Sequence, residues 1–536
     1  MAAKKALREL STHCFGTAES ELGLGCIDRI YVDSTGLLEE LREMPHGSPR
    51  LLVGHKGSGK TLILNELKRQ LEKDGIYALY VTPSDILCGM SPSGEEPAVL
   101  KRFYFNALVT GVAAQLGKDL PGFVSGSDVV LLKASLEKGV REFDNIEKTL
   151  SFLATLRYVL GKDNRSAHQV QTVCLPDASI SAITCAVDNK LSQKDGKPFY
   201  LFIDEPDDVG TEDLAAARVW GLLNACRDFA QRLKNVRCVV SLRTEMWYLL
   251  TRSSSGRKNI DHFKPLVVSL DPLEKEIRMI VERRLHYVAD RLNLLGGLNE
   301  CYGVFFEGES TRLPPPARDE QRSWEDYLIK TSRERPRDAI QLIKMLADHA
   351  LKDGRTKISS QDVLSCAAKF SEERLTYLVK EYENDFPDAF YVYKNFAQHN
   401  FALPAEDVRE ILEQAIGFGH VQLRGEILSR AREEDVFSLW KMLHETGFLN
   451  PLVADDRRAR DFRHINFCDD EDLVSISNYS EMCLYTWEVH PAYRSYLYTL
   501  QENEIHRQAI MKERQKFRKN VNYFDHSNHC KKRRNR

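Results

Sequence analysis

The chain has 536 residues, 43% apolar and 29% charged, a composition that suits three or four folded domains with sizeable cores. No run approaches the roughly 18–20 apolar residues that span a bilayer, and the first residues lack the apolar stretch of a signal peptide. A cytoplasmic protein without a membrane partner is therefore expected, with its twelve cysteines, none in a Cys-x-x-Cys pair, read as reduced thiols.

Residues 1–40 read as an N-terminal helical segment. The apolar run Leu51-Leu52-Val53 then predicts a buried strand that ends on Gly54-His55-Lys56-Gly57-Ser58-Gly59-Lys60-Thr61. Those eight residues form a complete G-x-x-x-x-G-K-[ST] phosphate-binding loop. Its glycines let successive backbone N–H groups turn inward on a phosphate. Lys60 supplies a cation for the β- and γ-phosphates, and the Thr61 hydroxyl is a ligand for Mg²⁺. ATP and Mg²⁺ are the cofactors this loop implies. Ile63, Leu64, Leu67 and Leu71 follow at helical spacing, so the loop opens a helix. A Gly/Lys-rich surface turn would leave that strand and helix unexplained.

Asp74-Gly75 marks a turn and Ile76–Val81 a second strand. Residues 95–195 are mostly helical in pattern and form an insertion before Phe199–Ile203, five apolar residues that end in Asp204-Glu205. This reads as a buried parallel strand with carboxylates at its C-terminal edge, where ligands bind in open α/β sheets. Asp204 would hold Mg²⁺ through water, and Glu205 would orient or deprotonate the attacking water. A solvated strand end is the plainer reading of an acid pair; the phosphate loop upstream favours the chemical one. Strands at 237–241 and 266–268 complete a parallel sheet with helices on both faces, within a core over 41–271. Past Asp271-Pro272 the pattern is helical over 272–375, with Leu313-Pro314-Pro315-Pro316 as a surface loop.

Over 376–505, a helix at 436–446 stops at Gly447. Phe448-Leu449 and 462–467 then flank the turn 455–460 as a hairpin. That order predicts a winged-helix-like domain. Arg457, Arg458 and Arg460 at the wing tip could touch phosphates, whereas the presumptive recognition helix offers only Lys441 and His444 beside several acids. Residues 506–536 form a basic tail. From Arg507 onward eleven Lys and Arg face two acids, a net of +9 that leaves −12 on the rest. Lys531, Lys532, Arg533 and Arg534 make it a candidate contact for DNA or RNA, or else a solvated arm. His526, His529 and Cys530 lie in the same tail without the spacing of a zinc site.

The loop Gly54–Thr61, the distant strand ending Asp204-Glu205 and the strand ending Ser241-Leu242-Arg243-Thr244 together resemble the additional-strand ATPases of the AAA+ and STAND superfamilies. The likeness is nearest to origin-recognition-type ATPases and a poorly characterised group of bacterial P-loop ATPases. Members of that group open with a stretch similar to Phe15-Gly16-Thr17-Ala18-Glu19-Ser20-Glu21 and carry a lid motif like Arg335-Pro336-Arg337-Asp338. The resemblance covers about residues 15–375. It implies an α/β, parallel-sheet P-loop ATPase core with a helical lid and the winged-helix-like domain after it. It implies that Ser241 or Arg243 senses the γ-phosphate and that Arg337 is the lid arginine. A ring would need an arginine from a neighbouring subunit, for which Arg252 and Arg257 are candidates; three serines and a glycine between them suit a flexible loop equally.

The expectation is an ATP-hydrolysing homo-oligomer that couples nucleotide state to nucleic acid or a partner, in DNA maintenance or anti-phage defence. The alternative is a STAND-type signalling switch, or a nucleotide-dependent scaffold, that controls a separate effector protein without binding nucleic acid.

Overall fold

The computed structural model describes residues 2–12, 31–33, 36–82, 96–120, 126–138, 140, 179–193, 197–204, 212–252, 260–270, 274–294, 301–317, 320–333, 335–454 and 462–505. The chain divides into two compact units. One contains residues 17–276, and the other joins residues 1–16 to 277–536. The first helix, α1 (Ala2–Thr12), belongs to the latter.

In the unit 17–276, α2 (Leu37–Arg42) precedes β1 (Arg50–Gly54), and the phosphate loop opens α3 (Lys60–Lys73). Then follow β2 (Ala78–Val81), α4 (Pro97–Lys118), α5 (Ser127–Glu137), α6 (Ile180–Gln193) and β3 (Phe199–Ile203). The unit closes with α7 (Glu212–Arg232), β4 (Val236–Arg243), α8 (Thr244–Arg252), α9 (Ile260–Phe263) and β5 (Val267–Ser269). All five strands are parallel, in the order β2-β3-β4-β1-β5. β4 therefore lies between the strand that carries the phosphate loop and the strand that ends at Asp204.

Alternate residues of each strand enter different cores. Leu51, Val53, Leu201, Ile203 and Val240 pack with Leu108 and Val112 of α4 and with Trp220 and Phe229 of α7. Leu52, Tyr200, Phe202 and Val239 pack with Leu41 of α2 and with Leu64 and Leu67 of α3. Burial on both faces explains why these strands read as unbroken apolar runs. The insertion helices α4, α5 and α6 are part of the first core, through Leu131, Ala134, Ile183 and Val187.

In the other unit, α10 (Glu274–Arg291), α11 (Cys301–Phe305), α12 (Trp324–Lys330), α13 (Pro336–Lys352) and α14 (Ser360–Glu381) make a helical group. Leu7 and Leu10 of α1 share its core with Leu285, Trp324, Leu342, Leu346 and Phe370. The purely helical expectation for 272–375 needs correction. An antiparallel hairpin, β6 (Ser310–Arg312) with β7 (Gln321–Ser323), flanks the proline stretch, because each edge finds its backbone partner in the other.

The C-terminal part of this unit holds α15 (Ala389–Asn395), β8 (Ala402–Pro404), α16 (Ala405–Phe418), the small hairpin β9 (Gln422–Leu423) and β10 (Glu426–Ile427), and α17 (Glu433–Glu445). β11 (Leu449–Ala454), β12 (Phe462–His464), α18 (Tyr479–Met482), β13 (Thr486–Val489) and a helix α19 over 491–505 complete it. Gly447, at φ +68°, lets the chain turn sharply after α17 into the wing pair β11–β12. This is a winged-helix-like arrangement with β13 inserted between β11 and β8 in the sheet. Among the described residues no helix is long and apolar enough to cross a membrane.

Candidate nucleotide site

The carboxyl edges of β1, β3 and β4 bring the phosphate loop, Asp204 and Arg243 to one side of the sheet. Gly54 pairs in register with Arg243, and Asp204 continues β3 by donating its backbone N–H to Val81 O at 3.1 Å. The loop needs its glycines. Gly57 and Gly59 have φ of +87° and +106°, which L side chains rarely adopt. A Cβ on Gly54 would stand 2.6 Å from Leu270 O and 2.8 Å from Ser58 Oγ. The Lys60 ammonium is buried and donates to Gly54 O at 2.6 Å and His55 O at 3.0 Å, so it is held over the loop by the loop's own backbone. Ser58 Oγ is buried without a hydrogen-bond partner among the described residues. His55 Nδ1 lies 3.3 Å from Glu245 Oε1 of α8, while Lys56 is exposed.

Three hydroxyls converge on Asp204, itself only 3% exposed. Thr61 donates to Oδ2 at 2.8 Å, Tyr80 donates to the same oxygen, and Ser241 donates to Oδ1. A loop with inward-turning glycines, an orphaned serine hydroxyl, a poised ammonium and a hydroxyl–carboxylate pair fits a triphosphate with Mg²⁺. Thr61 and Asp204 are the residues that would hold the metal. Ser241, a candidate for sensing the γ-phosphate, is fully buried with its proton directed to Asp204. Arg243, the other candidate, is half-buried at the strand end. Tyr80 was not among the sequence candidates. Its only signal was a polar hydroxyl at the end of a strand expected beside the acid strand.

Arg252 is the last residue of α8. Glu205, Arg257, Arg457, Arg458, Arg460, Lys531, Lys532, Arg533, Arg534 and the Phe15–Glu21 stretch lie outside the described residues. In the lid motif, Pro336 opens α13, so Arg337 falls within its first turn. The neighbouring charges are committed to a buried network. Asp338 accepts from Arg333 Nε at 2.6 Å and from Arg374, and Arg335 pairs with Glu381 at 3.0 Å. Burial alone would raise the Asp338 pKa, but Arg333 and Arg374 outweigh it and hold the carboxyl below its ordinary value. Arg337 stands outside this network and is half-buried.

Of the two residues the presumptive recognition helix could offer to nucleic acid, His444 is not available. His444 is 1% exposed and hydrogen-bonds Asn450 through Nδ1 at 2.9 Å. Around it, Phe467 packs edge-on against His444, Tyr479 against Phe437, and Asp472 pairs with Lys441 at 3.6 Å. The segment after the wing thus covers part of α17 that an exposed recognition helix would present. A further cluster, His349, Asp353 and Asp362, brings ligand atoms within 4.8 Å of one another. Arg355 already pairs with both carboxylates, at 2.8 Å and 2.5 Å, and supplies the positive charge a metal would bring.

The strand order, the phosphate loop after β1 and the acid at the end of β3 define an additional-strand P-loop ATPase fold, the class to which the sequence resemblance pointed. Residues 298–379 match the family described as a FunZ-associated C-terminal helical domain. No curated protein is significantly similar in sequence. Among solved structures, the chain is similar to the Aeropyrum pernix ORC2 protein in ADPNP–ADP complexes, at 12% identity and a TM-score of 0.41, over 93% of this chain and 99% of that one. It is similar to Cdc6p from Pyrobaculum aerophilum at 14% identity and a TM-score of 0.31, over 92% and 98%. The Thermotoga maritima RuvB Holliday junction branch migration motor follows at 14% identity and a TM-score of 0.28, over 70% and 81%. At these scores they add nothing to what the strand order defines.

Proposed function

We propose that the chain binds ATP with Mg²⁺ in the loop 54–61 and hydrolyses it, coupling nucleotide state to self-assembly and to a nucleic acid or protein partner. The observation that carries this reading is the convergence of Lys60, Thr61 and Asp204 at the carboxyl edge of the parallel sheet. Bound Mg²⁺ would supply positive charge to the phosphate oxygens. Lys60 is assigned to the β- and γ-phosphates, Glu205 to the attacking water, Arg243 to the γ-phosphate and Arg337 to nucleotide sensing by the lid. Arg252 or Arg257 is assigned to a neighbouring subunit's site. Calorimetry with ATP tests the core of the reading. Lys60→Ala should lose tight binding, whereas Glu205→Gln should retain binding and lose turnover. Equal loss of binding in both would remove the role given to Glu205.

One observation favours a second reading, a signalling switch acting on a separate effector. α17 begins with Glu433, Glu434 and Asp435, and its one lysine is paired with Asp472. Such a helix suits protein docking better than base reading, and any contact with nucleic acid falls to Arg457, Arg458, Arg460 and the tail at 531–534. DNA-stimulated turnover supports the first reading, and its absence at moderate salt the second. Mass measurement with and without ATP tests assembly in either.

A further inference from the structure

We infer that Tyr80 is a positioning residue for the carboxylate of Asp204, an inference that rests on the nucleotide-site reading above. Tyr80 is the third residue of β2, in register with Phe202 of β3, and the next residue, Val81, accepts the backbone N–H of Asp204 at 3.1 Å. The edge strand β2 is thus joined to Asp204 twice, once by backbone and once by the Tyr80 hydroxyl. An ionised carboxylate offers about four acceptor positions. Three are filled here from three separate elements: Thr61 of α3 and Tyr80 of β2 on Oδ2, and Ser241 of β4 on Oδ1.

The consequence follows from geometry. With donors on both oxygens, the carboxylate plane is set before any metal arrives. Thr61 can keep its proton on Oδ2 while a lone pair of its oxygen remains for a cation. The Tyr80 ring packs partly against the core that contains Leu52, Tyr200 and Phe202, so its hydroxyl is held by a body with few rotors. Outer hydrogen-bond partners of this kind orient a metal-binding group, and their loss typically weakens metal affinity 10–100-fold. Tyr80 is assigned no contact with nucleotide. It acts through Asp204.

The test is a Mg²⁺ titration of a fluorescent ATP analogue bound to the full chain, compared with the affinity in EDTA. Tyr80→Phe removes only the hydroxyl and keeps the ring. It should raise the half-saturating Mg²⁺ concentration about tenfold, leave the EDTA affinity unchanged and leave the melting temperature of the free protein close to that of the wild type. Ser241→Ala, which strips the other oxygen, should shift the same curve in the same direction. A Tyr80→Phe titration that superimposes on wild type, with Ser241→Ala shifted, overturns the inference while the nucleotide site stands. Equal loss of affinity with and without Mg²⁺ in Tyr80→Phe overturns it too, since the hydroxyl would then serve the fold of the loop. Undiminished nucleotide binding by Lys60→Ala overturns the underlying reading, a result separable from both.

Discussion

Neutralising Asp338 tests the network around the lid motif. Asp338 and Arg374 are 2% and 3% exposed, and the carboxylate accepts from Arg374 on one oxygen and, at 2.6 Å, from Arg333 Nε on the other. Arg333 also reaches the Tyr493 hydroxyl at 3.3 Å, tying the lid helices to α19 within the same unit. Asp338→Asn keeps the shape and leaves two buried guanidinium groups without their counter-charge, which costs about 3–5 kcal/mol. At about 2–4 °C per kcal/mol for a unit of this size, the melting temperature of the unit holding residues 277–536 should fall roughly 6–20 °C. Scanning calorimetry at pH 7 measures it, with Arg374→Met expected to cost a similar amount. The Asp338→Asn/Arg374→Met double variant should cost less than the two single losses combined, because it leaves only Arg333 without its counter-charge. The folded pKa of Asp338 is depressed, so its stabilisation is present above the unfolded carboxylate value of about 3.9 and is lost as pH falls through the lower folded value. The gap between wild type and Asp338→Asn should stay constant from about pH 5 to 8 and close only below about pH 4. A melting temperature for Asp338→Asn within about 2 °C of wild type would refute the assignment of this network as a structural tie.

Gly54→Ala should abolish nucleotide binding, since its Cβ would meet the backbone oxygen Leu270 O at 2.6 Å; the overpacking should also cost about 1–3 kcal/mol, read by urea unfolding. Burial pushes the His444 imidazole down to about 4, opposed by its bond to Asn450. A depressed histidine contributes stability that is complete above its unfolded value of about 6.5 and is lost as pH falls toward 4. Wild type should therefore lose about 2 kcal/mol from this group between pH 7.5 and 5, and His444→Gln should lack that part of the acid slope in denaturant titrations. If the tail and wing grip phosphates, nucleic-acid affinity should fall steeply with salt and depend little on sequence. Deleting 507–536 should flatten that slope, and Arg457, Arg458 and Arg460 changed together to Ala should flatten it further. Anisotropy titrations at two salt concentrations decide it, and no measurable affinity for the intact chain removes the claim.

The sequence by itself determined the elements whose signals are local. The apolar run 51–53, the glycines of the loop and the periodic leucines of α3 are contiguous, so strand, loop and helix were legible from neighbours alone. The apolar strand ending at Asp204 and the helix stopped by Gly447 before a hairpin were legible for the same reason. Tertiary structure alone decided which distant groups meet. That β4 stands between β1 and β3 depends on backbone pairing between segments far apart in the chain, which no periodicity encodes. The meeting of Thr61, Tyr80 and Ser241 on one carboxylate follows from that order. So does the commitment of Ser241's proton to Asp204. Helix α1 shares a core with α13 across more than three hundred residues, because Leu7 and Leu10 offer an apolar stripe that states no partner. His444 looked like a surface residue of a recognition helix and is buried instead, because the chain after the wing folds back over α17 and Asn450 pairs with its Nδ1. Residue type and spacing specify what a segment can become; burial and hydrogen-bond pairing with remote segments specify what each side chain is free to do.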